Sequence, residues 1–184
     1  MQMNQTNRFG MVSHFSTRHL TVMALLLAMR IILSFLPGIN IGNMVQMGFG
    51  FIGTTTAAAI LGPFYMVLFA ILYDLLDILI IHPSAMFFAG FTLSAAVAAF
   101  IYAKGLWRKE VTAKRAIIVC LIVTVVVNLL MNTLWIKIMY DKAWIALIQA
   151  RLIKNLISLP LNAFIIYMLF NYPPFKRFIK KYQF

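Results

Sequence analysis

Acidic side chains are nearly missing from this chain: four carboxylates stand against sixteen Lys and Arg in 184 residues. Charged residues of both signs make up 11% of it, less than half the roughly 25% of a soluble domain. That shortage excludes an ordinary soluble enzyme and a disordered chain, both of which rely on a charged surface. The single cysteine, Cys120, cannot close an internal disulfide, makes a poor metal site, and reads as a small packing residue. The sequence carries no G-x-x-x-x-G-K-[ST] loop, H-E-x-x-H pair or G-x-S-x-G elbow, so phosphate-loop ATP hydrolysis, zinc-protease chemistry and α/β-hydrolase chemistry are excluded. His14, His19 and His82 fall at or beyond the ends of apolar segments. No catalytic residue, metal or cofactor is expected.

What fills the chain is hydrocarbon. Hydrophobic residues account for 63% and mean hydropathy is +0.92. A membrane helix needs roughly 20 apolar residues, and the pattern predicts an all-α membrane protein, a compact bundle of six transmembrane helices. The expected spans are 19–36, 45–61, 64–81, 85–103, 116–140 and 142–172, with turns at Pro37-Gly38, Gly62-Pro63 and His82-Pro83. One domain covers 1–184: a polar tail at 1–18, the bundle at 19–172 and a basic tail at 173–184. Arg30 interrupts the first apolar run, so that run reads as a retained span rather than a leader peptide. The formal charge of +12 does not point to nucleic acid, because the cations sit in short clusters beside apolar segments. The tail at 1–18, the loop at 104–115 and the tail at 173–184 are all basic. Six spans put all three on one side, which predicts cytoplasmic termini facing anionic lipid head groups. No repeat relates the two halves of the chain.

Polar groups inside hydrocarbon are costly, so their positions carry information. Thr124, Asn128, Asn132 and Trp135 share one face of span five. Arg151, Asn155, Ser158 and Asn162 share one face of span six, with Lys154 beside it. Two such stripes either hydrogen-bond to each other or line a cavity. Arg151 lies roughly 13 Å below the outer end of its span at 1.5 Å per residue. Of the four acids, Asp74 and Asp77 alone lie within a span, facing the outer-half cations Arg30, Lys137, Arg151 and Lys154. The surplus of positive charge suggests an outward-opening cavity for an anion. Phe49, Phe51, Phe87, Phe88, Phe91, Trp135, Tyr140 and Trp144 fall near outer span ends, as an aromatic belt or as stacking partners for a flat ligand. On span one, Ala24 and Ala28 give a smooth face that permits close helix approach.

Three motifs resemble a known family. Phe88-Ala-Gly-Phe-Thr-Leu-Ser-Ala95, Asn128-Leu-Leu-Met-Asn-Thr-Leu-Trp135 and Ala150-Arg-Leu-Ile-Lys-Asn-Leu-Ile-Ser-Leu-Pro160 look like the signatures of folate-specific S components of energy-coupling factor (ECF) transporters, the FolT type. The resemblance runs from span one to span six. It implies a multi-pass protein of the bacterial cell membrane that captures a vitamin from outside. It also implies a transmembrane coupling subunit and two cytoplasmic ATPases as partners, with Ala24 and Ala28 as the docking motif. Carried over by position, Asn128, Asn132, Trp135, Arg151 and Asn155 lie near the ligand, with Phe91 and Thr92. Lys154 lies in the motif but off the stripe. The segment from Gly38 to Gly50 is the expected outer gate.

Folate suits these residues chemically. Its pterin edge matches asparagine amides, its aminobenzoyl ring can stack on Trp135 or a Phe, and its glutamate carboxylates suit Arg151, with Arg30 and Lys154 as further candidates. Asp74 either reads the pterin edge or forms an internal salt bridge to Arg30 or Arg151, and the salt bridge is the preferred expectation. The alternatives are an S component for another flat vitamin such as riboflavin, a small membrane enzyme acting on lipid head groups through Asp74 and Asp77, and a purely structural subunit.

Overall fold

The computed structural model of the chain describes residues 17–36, 38–41, 45–81, 87–140 and 144–183. The N-terminal tail, the His82-Pro83 turn and the connection at 141–143 lie outside the described residues. Helix α1 is Thr17–Phe35. A two-stranded ribbon follows, β1 (Ile39–Ile41) antiparallel to β2 (Val45–Met47), with Ile39 opposite Met47 and Ile41 opposite Val45. Helix α2 is Gly50–Leu76, prolonged by a π-helical stretch Asp77–Ile81. Then come α3 (Ala89–Leu106), α4 (Ala113–Val123), a π-helical stretch Thr124–Met131 and α5 (Asn132–Tyr140). The chain closes with α6 (Trp144–Asn171) and α7 (Pro173–Tyr182).

Among the described residues, five helical runs are long and apolar enough to cross a membrane. One of them, Gly50–Ile81, is two legs. Gly62 has φ 75° and ψ 171° inside α2. The Arg30 guanidinium touches both the Gly50 carbonyl and the Tyr73 ring; in a straight helix those two residues would stand about 34 Å apart. The chain therefore reverses at Gly62, where the turn was expected, and the bundle has six legs. Only glycine takes this conformation without strain. A Cβ there would also meet the Trp107 indole at 3.0 Å.

Several expected boundaries shift, span four to Ala89–Leu106 and the start of span five to Ala113. Span two does not begin at Val45: Ile39-Asn-Ile41 and Val45-Gln-Met47 alternate apolar and polar residues, the period of a strand, and the helix waits until Gly50. The first leg of α2 is then only 12 residues, 50–61, about 18 Å long. Its Gly/Thr/Ala sequence does not make it loose. Ala57, Ala58, Ile60, Leu61 and Thr55 are fully buried at the middle of the bundle, because small side chains let neighbouring backbones close in. The threonine hydroxyls stay satisfied inside the helix, Thr55 on the Phe51 carbonyl at 3.0 Å and Thr56 on the Ile52 carbonyl at 2.7 Å. The tail after Pro173 is also helical, as α7, with Phe175, Phe178, Ile179 and Tyr182 at i, i+3, i+4, i+7 spacing.

The basic segments gather at one end. Arg18 donates to the Lys181 carbonyl, Asn171 to the Val111 carbonyl and Gln183 to the Ala59 carbonyl. Glu110 pairs with Lys176 at 2.6 Å. Trp107 packs against Gly62, and Arg108, in the left-handed region at φ 52°, stacks on the Trp107 ring. The ribbon, the Phe88 turn and the outer ends of α5 and α6 lie at the opposite end.

Candidate functional site

Two neighbouring chambers open toward the ribbon end. The first, about 350 Å³, is walled by Gly48 and Phe51 at the start of α2, by Asn128 and Asn132 of span five, and by Arg151, Lys154, Asn155, Ser158 and Asn162 of α6. The second, about 420 Å³, shares Gly48, Phe51, Asn128 and Asn162 with it and runs on past Arg30, Thr54 and Tyr73 toward Tyr102. The space exists because the first leg of α2 stops short and leaves the volume above Gly50 unfilled by helix.

The stripe on span six survives intact. Arg151, Asn155, Ser158 and Asn162 face one chamber because residues three and four apart stack on one helical face. The stripe on span five passes through the π-helical stretch, with a chemical consequence. The Asn132 N–H reaches back five residues to the Val127 carbonyl, bypassing the Asn128 carbonyl that an α-helix would have used. The Asn128 carbonyl instead accepts Nη1 of Arg151 at 2.8 Å. A widened turn thus aims a backbone acceptor at a cation and fixes the guanidinium in the chamber wall. Lys154, off the stripe, is exposed at the rim.

Three buried polar atoms in the first chamber have no hydrogen-bond partner among the described residues: Asn132 Oδ1, Ser158 Oγ and Asn162 Oδ1. Leaving such groups unpaired costs about 1–3 kcal/mol each, and nearly all buried polar groups in folded proteins are paired. Three together in one cavity leave hydrogen-bonding capacity that a polar ligand could take up. None of the residues lining this chamber is acidic, so its field favours an anion.

The second chamber holds its cation differently. Arg30 donates to the Gly50 carbonyl and to Thr54 Oγ1, and its guanidinium lies 3.8 Å from the centre of the Tyr73 ring. Tyr73 donates to Asp77 Oδ1 at 2.9 Å, and the Ser34 hydroxyl lies 2.7 Å from the Tyr73 hydroxyl. The network joins α1 to both legs of α2 and positions Arg30 in the chamber wall.

The remaining expected residues lie elsewhere. Trp135 donates from Nε1 to Ser94 Oγ at 2.9 Å, and its ring packs on Phe88 at 5.8 Å; Phe88 in turn meets Phe91 edge-on at 5.9 Å. Thr92 donates to Asp74 Oδ2 at 2.6 Å. These four, Trp135, Phe91, Thr92 and Asp74, knit α3 to α5 and to the second leg of α2, and do not line either chamber. The preferred salt bridge from Asp74 to Arg30 or Arg151 is not formed. Tyr73 and Asp77, four residues apart, turn together toward α1 and Arg30, whereas Asp74 is rotated from Tyr73 by about 100° and faces α3. Sequence reasoning named Phe51 only as a belt or stacking aromatic and Ser158 and Asn162 only as members of the α6 stripe, and it left Ser34, Thr54 and Tyr73 out. For Ser158 and Asn162 the signal was present, since both continue the Arg151 stripe. Ala24 and Ala28 are exposed on the outward face of α1. Among the described residues, no three His, Cys, Asp or Glu side chains converge as a metal set would.

Comparison with known proteins bears on this geometry. Residues 18–170 match the family model described as ECF transporter, substrate-specific component. The folate transporter FolT of Clostridium novyi (strain NT) is 39% identical over 124 residues, 67% of this chain and 72% of the relative. The folate transporter FolT of Leuconostoc mesenteroides is 32% identical over 176 residues, 92% of this chain and 93% of the relative. A crystal structure of FolT bound with folic acid superposes with a TM-score of 0.75 at 31% identity, covering 84% of this chain and 93% of that one.

Proposed function

The chain belongs to the substrate-specific components of ECF transporters, and we propose that its paired chambers capture folate for import. The observation that carries this reading is the convergence of Asn132, Ser158 and Asn162, each with an unpartnered polar atom, on a chamber whose cations are Arg151 and Lys154. A pterin presents alternating donors and acceptors along one edge, which amide and hydroxyl groups complement. The glutamate carboxylates suit the guanidinium of Arg151. Phe51, shared by both chambers, offers an aromatic surface to the ring system between those ends. The relatives named as folate transporters support folate over riboflavin.

In this reading the protein supplies recognition and partners supply energy. A transmembrane coupling subunit with two cytoplasmic ATPases would drive release on the inner side, docking on the exposed Ala24–Ala28 face of α1. Arg151, Asn128, Asn132 and Asn155 would contact ligand directly. Arg30 would hold the second chamber's wall and its charge, and Lys154 would draw anions to the rim. Trp135, Phe91, Thr92 and Asp74 would act by setting the position of α5 rather than by touching folate.

The test is folate binding to the purified chain in detergent, read by tryptophan fluorescence and by calorimetry. Saturable binding that riboflavin does not compete for is the expected result. Folded protein that binds riboflavin and no form of folate would overturn the assignment.

A further inference from the structure

A third cavity lies away from the chambers, in a groove between α3 and α4 at the basic end. The two helices touch where Gly105 meets Val119: a Cβ on Gly105 would stand 2.2 Å from a Val119 methyl. Beside that contact they leave a groove of about 500 Å³. Phe100 and Ile101 of α3 form one wall and Ile118 and Ile122 of α4 the other. Phe100, Ile118 and Ile122 are 41%, 48% and 42% exposed, so the groove opens outward from the bundle, toward hydrocarbon.

Its mouth has the opposite character. Lys104 from the last turn of α3 and Lys114 and Arg115 from the first turn of α4 also line it, and none of its lining residues is acidic. Arg115 is oriented by donating Nη1 to the Glu110 carbonyl at 2.9 Å, while the Glu110 carboxylate is engaged by Lys176. The arrangement joins three cations at the membrane surface to an apolar channel leading into the bilayer.

We propose that this groove is a binding site for an anionic phospholipid of the leaflet on the basic side. The phosphate meets Lys104, Lys114 and Arg115, and an acyl chain lies between Phe100 and Ile122. A soluble phosphate would use the cations and leave the apolar walls unmatched. A zwitterionic lipid would match the walls and gain less from the charge. The proposal is independent of which vitamin the chambers take.

The test uses the full chain, purified in neutral detergent and offered phosphatidylglycerol and phosphatidylcholine in equal amounts, with retained lipid counted by native mass spectrometry. Phosphatidylglycerol should be retained preferentially. Replacing Lys104→Gln and Lys114→Gln should lower its retention about fivefold per cation, the factor for one lysine near a charged membrane surface. Ile122→Trp, which fills the groove from its exposed side, should lower it without changing charge. Lys181→Gln, on α7 and outside the groove, should leave it unchanged, and thermal melts report that each variant is folded. An equal loss in Lys181→Gln would overturn the proposal in favour of diffuse attraction. Equal retention of the two lipids, or displacement by inorganic phosphate, would overturn it as well.

Discussion

Arg151 on α6 donates its Nη1 to the backbone carbonyl of Asn128 on span five, 2.8 Å away, so a main-chain acceptor, not a carboxylate, orients the cation of the first chamber. That choice preserves the charge. A carboxylate partner would have neutralised the guanidinium, whereas a carbonyl fixes its direction and leaves its field available to an anion. Removing a buried charge-assisted partner costs about 2–5 kcal/mol of binding. Arg151→Ala is therefore expected to weaken folate binding by that amount in calorimetry. Lys137→Ala, at an exposed position outside both chambers, should change it little. Full affinity in Arg151→Ala would remove the residue from the site.

Asn162 separates stability from function. Its Oδ1 is buried between the two chambers with no hydrogen-bond partner among the described residues. Replacing an unsatisfied polar group by an apolar one of similar size is nearly neutral or stabilising, while losing its bond to a ligand costs about 1–3 kcal/mol. Asn162→Leu should keep or raise the melting temperature of the ligand-free protein and weaken folate binding. A lower melting temperature with unchanged affinity would make Asn162 a packing residue.

The outward face of α1 makes a different prediction. Ala24 and Ala28 are exposed there and touch neither chamber. Ala28→Trp should leave folate binding to the isolated chain intact and abolish uptake by cells that express the coupling module. Normal uptake would dismiss this face as the docking surface.

Gly62 should tolerate no side chain. With φ at 75°, ψ at 171° and the Trp107 indole 3.0 Å from where a Cβ would stand, Gly62→Ala costs about 1–3 kcal/mol of backbone strain before any clash is counted, because only glycine enters that region freely. A drop in melting temperature is expected, and the double variant with Trp107→Ala should recover part of it.

The Glu110–Lys176 pair ties α7 to the inner loop and carries a pH dependence. The hydrogen bond and charge of Lys176 hold the Glu110 carboxyl below its usual range. A depressed carboxyl stabilises the folded arrangement fully above its unfolded pKa, and that contribution is lost as pH falls through the folded value. Hydrogen exchange in residues 173–182 should therefore quicken on acidification relative to the bundle, and Lys176→Gln should remove the difference.

The parts of this protein that could be read from its sequence are those that depend on local spacing. The α6 stripe is legible because four residues on one face stay on one face wherever the helix packs. The turn at Gly62 is legible because Gly-Pro punctuates an apolar run. The second chamber is not legible: Ser34, Thr54 and Tyr73 come from three different legs and meet only after the chain has reversed. The partner of Asp74 is not legible from charge alone. Charge counting paired it with the nearest cations, whereas the phase of its helix turned it to Thr92. The π-helical stretch leaves no signal in the sequence, since asparagine and valine accept either kind of turn.

The reversal at Gly62 also bears on how the protein is made. A first leg of 12 residues, 50–61, is too short to be recognised by the insertion machinery as a span of its own, which takes roughly 20. A leg that short suits entry as half of a hairpin, together with the leg that follows. Were the bend lost, 50–81 would cross once as a single rod, and every segment translated after it would emerge on the opposite side of the membrane. The Gly62-Pro63 bend thus sets the parity of the chain: it determines which ends of α3, α4, α5 and α6 lie on the side of the basic segments.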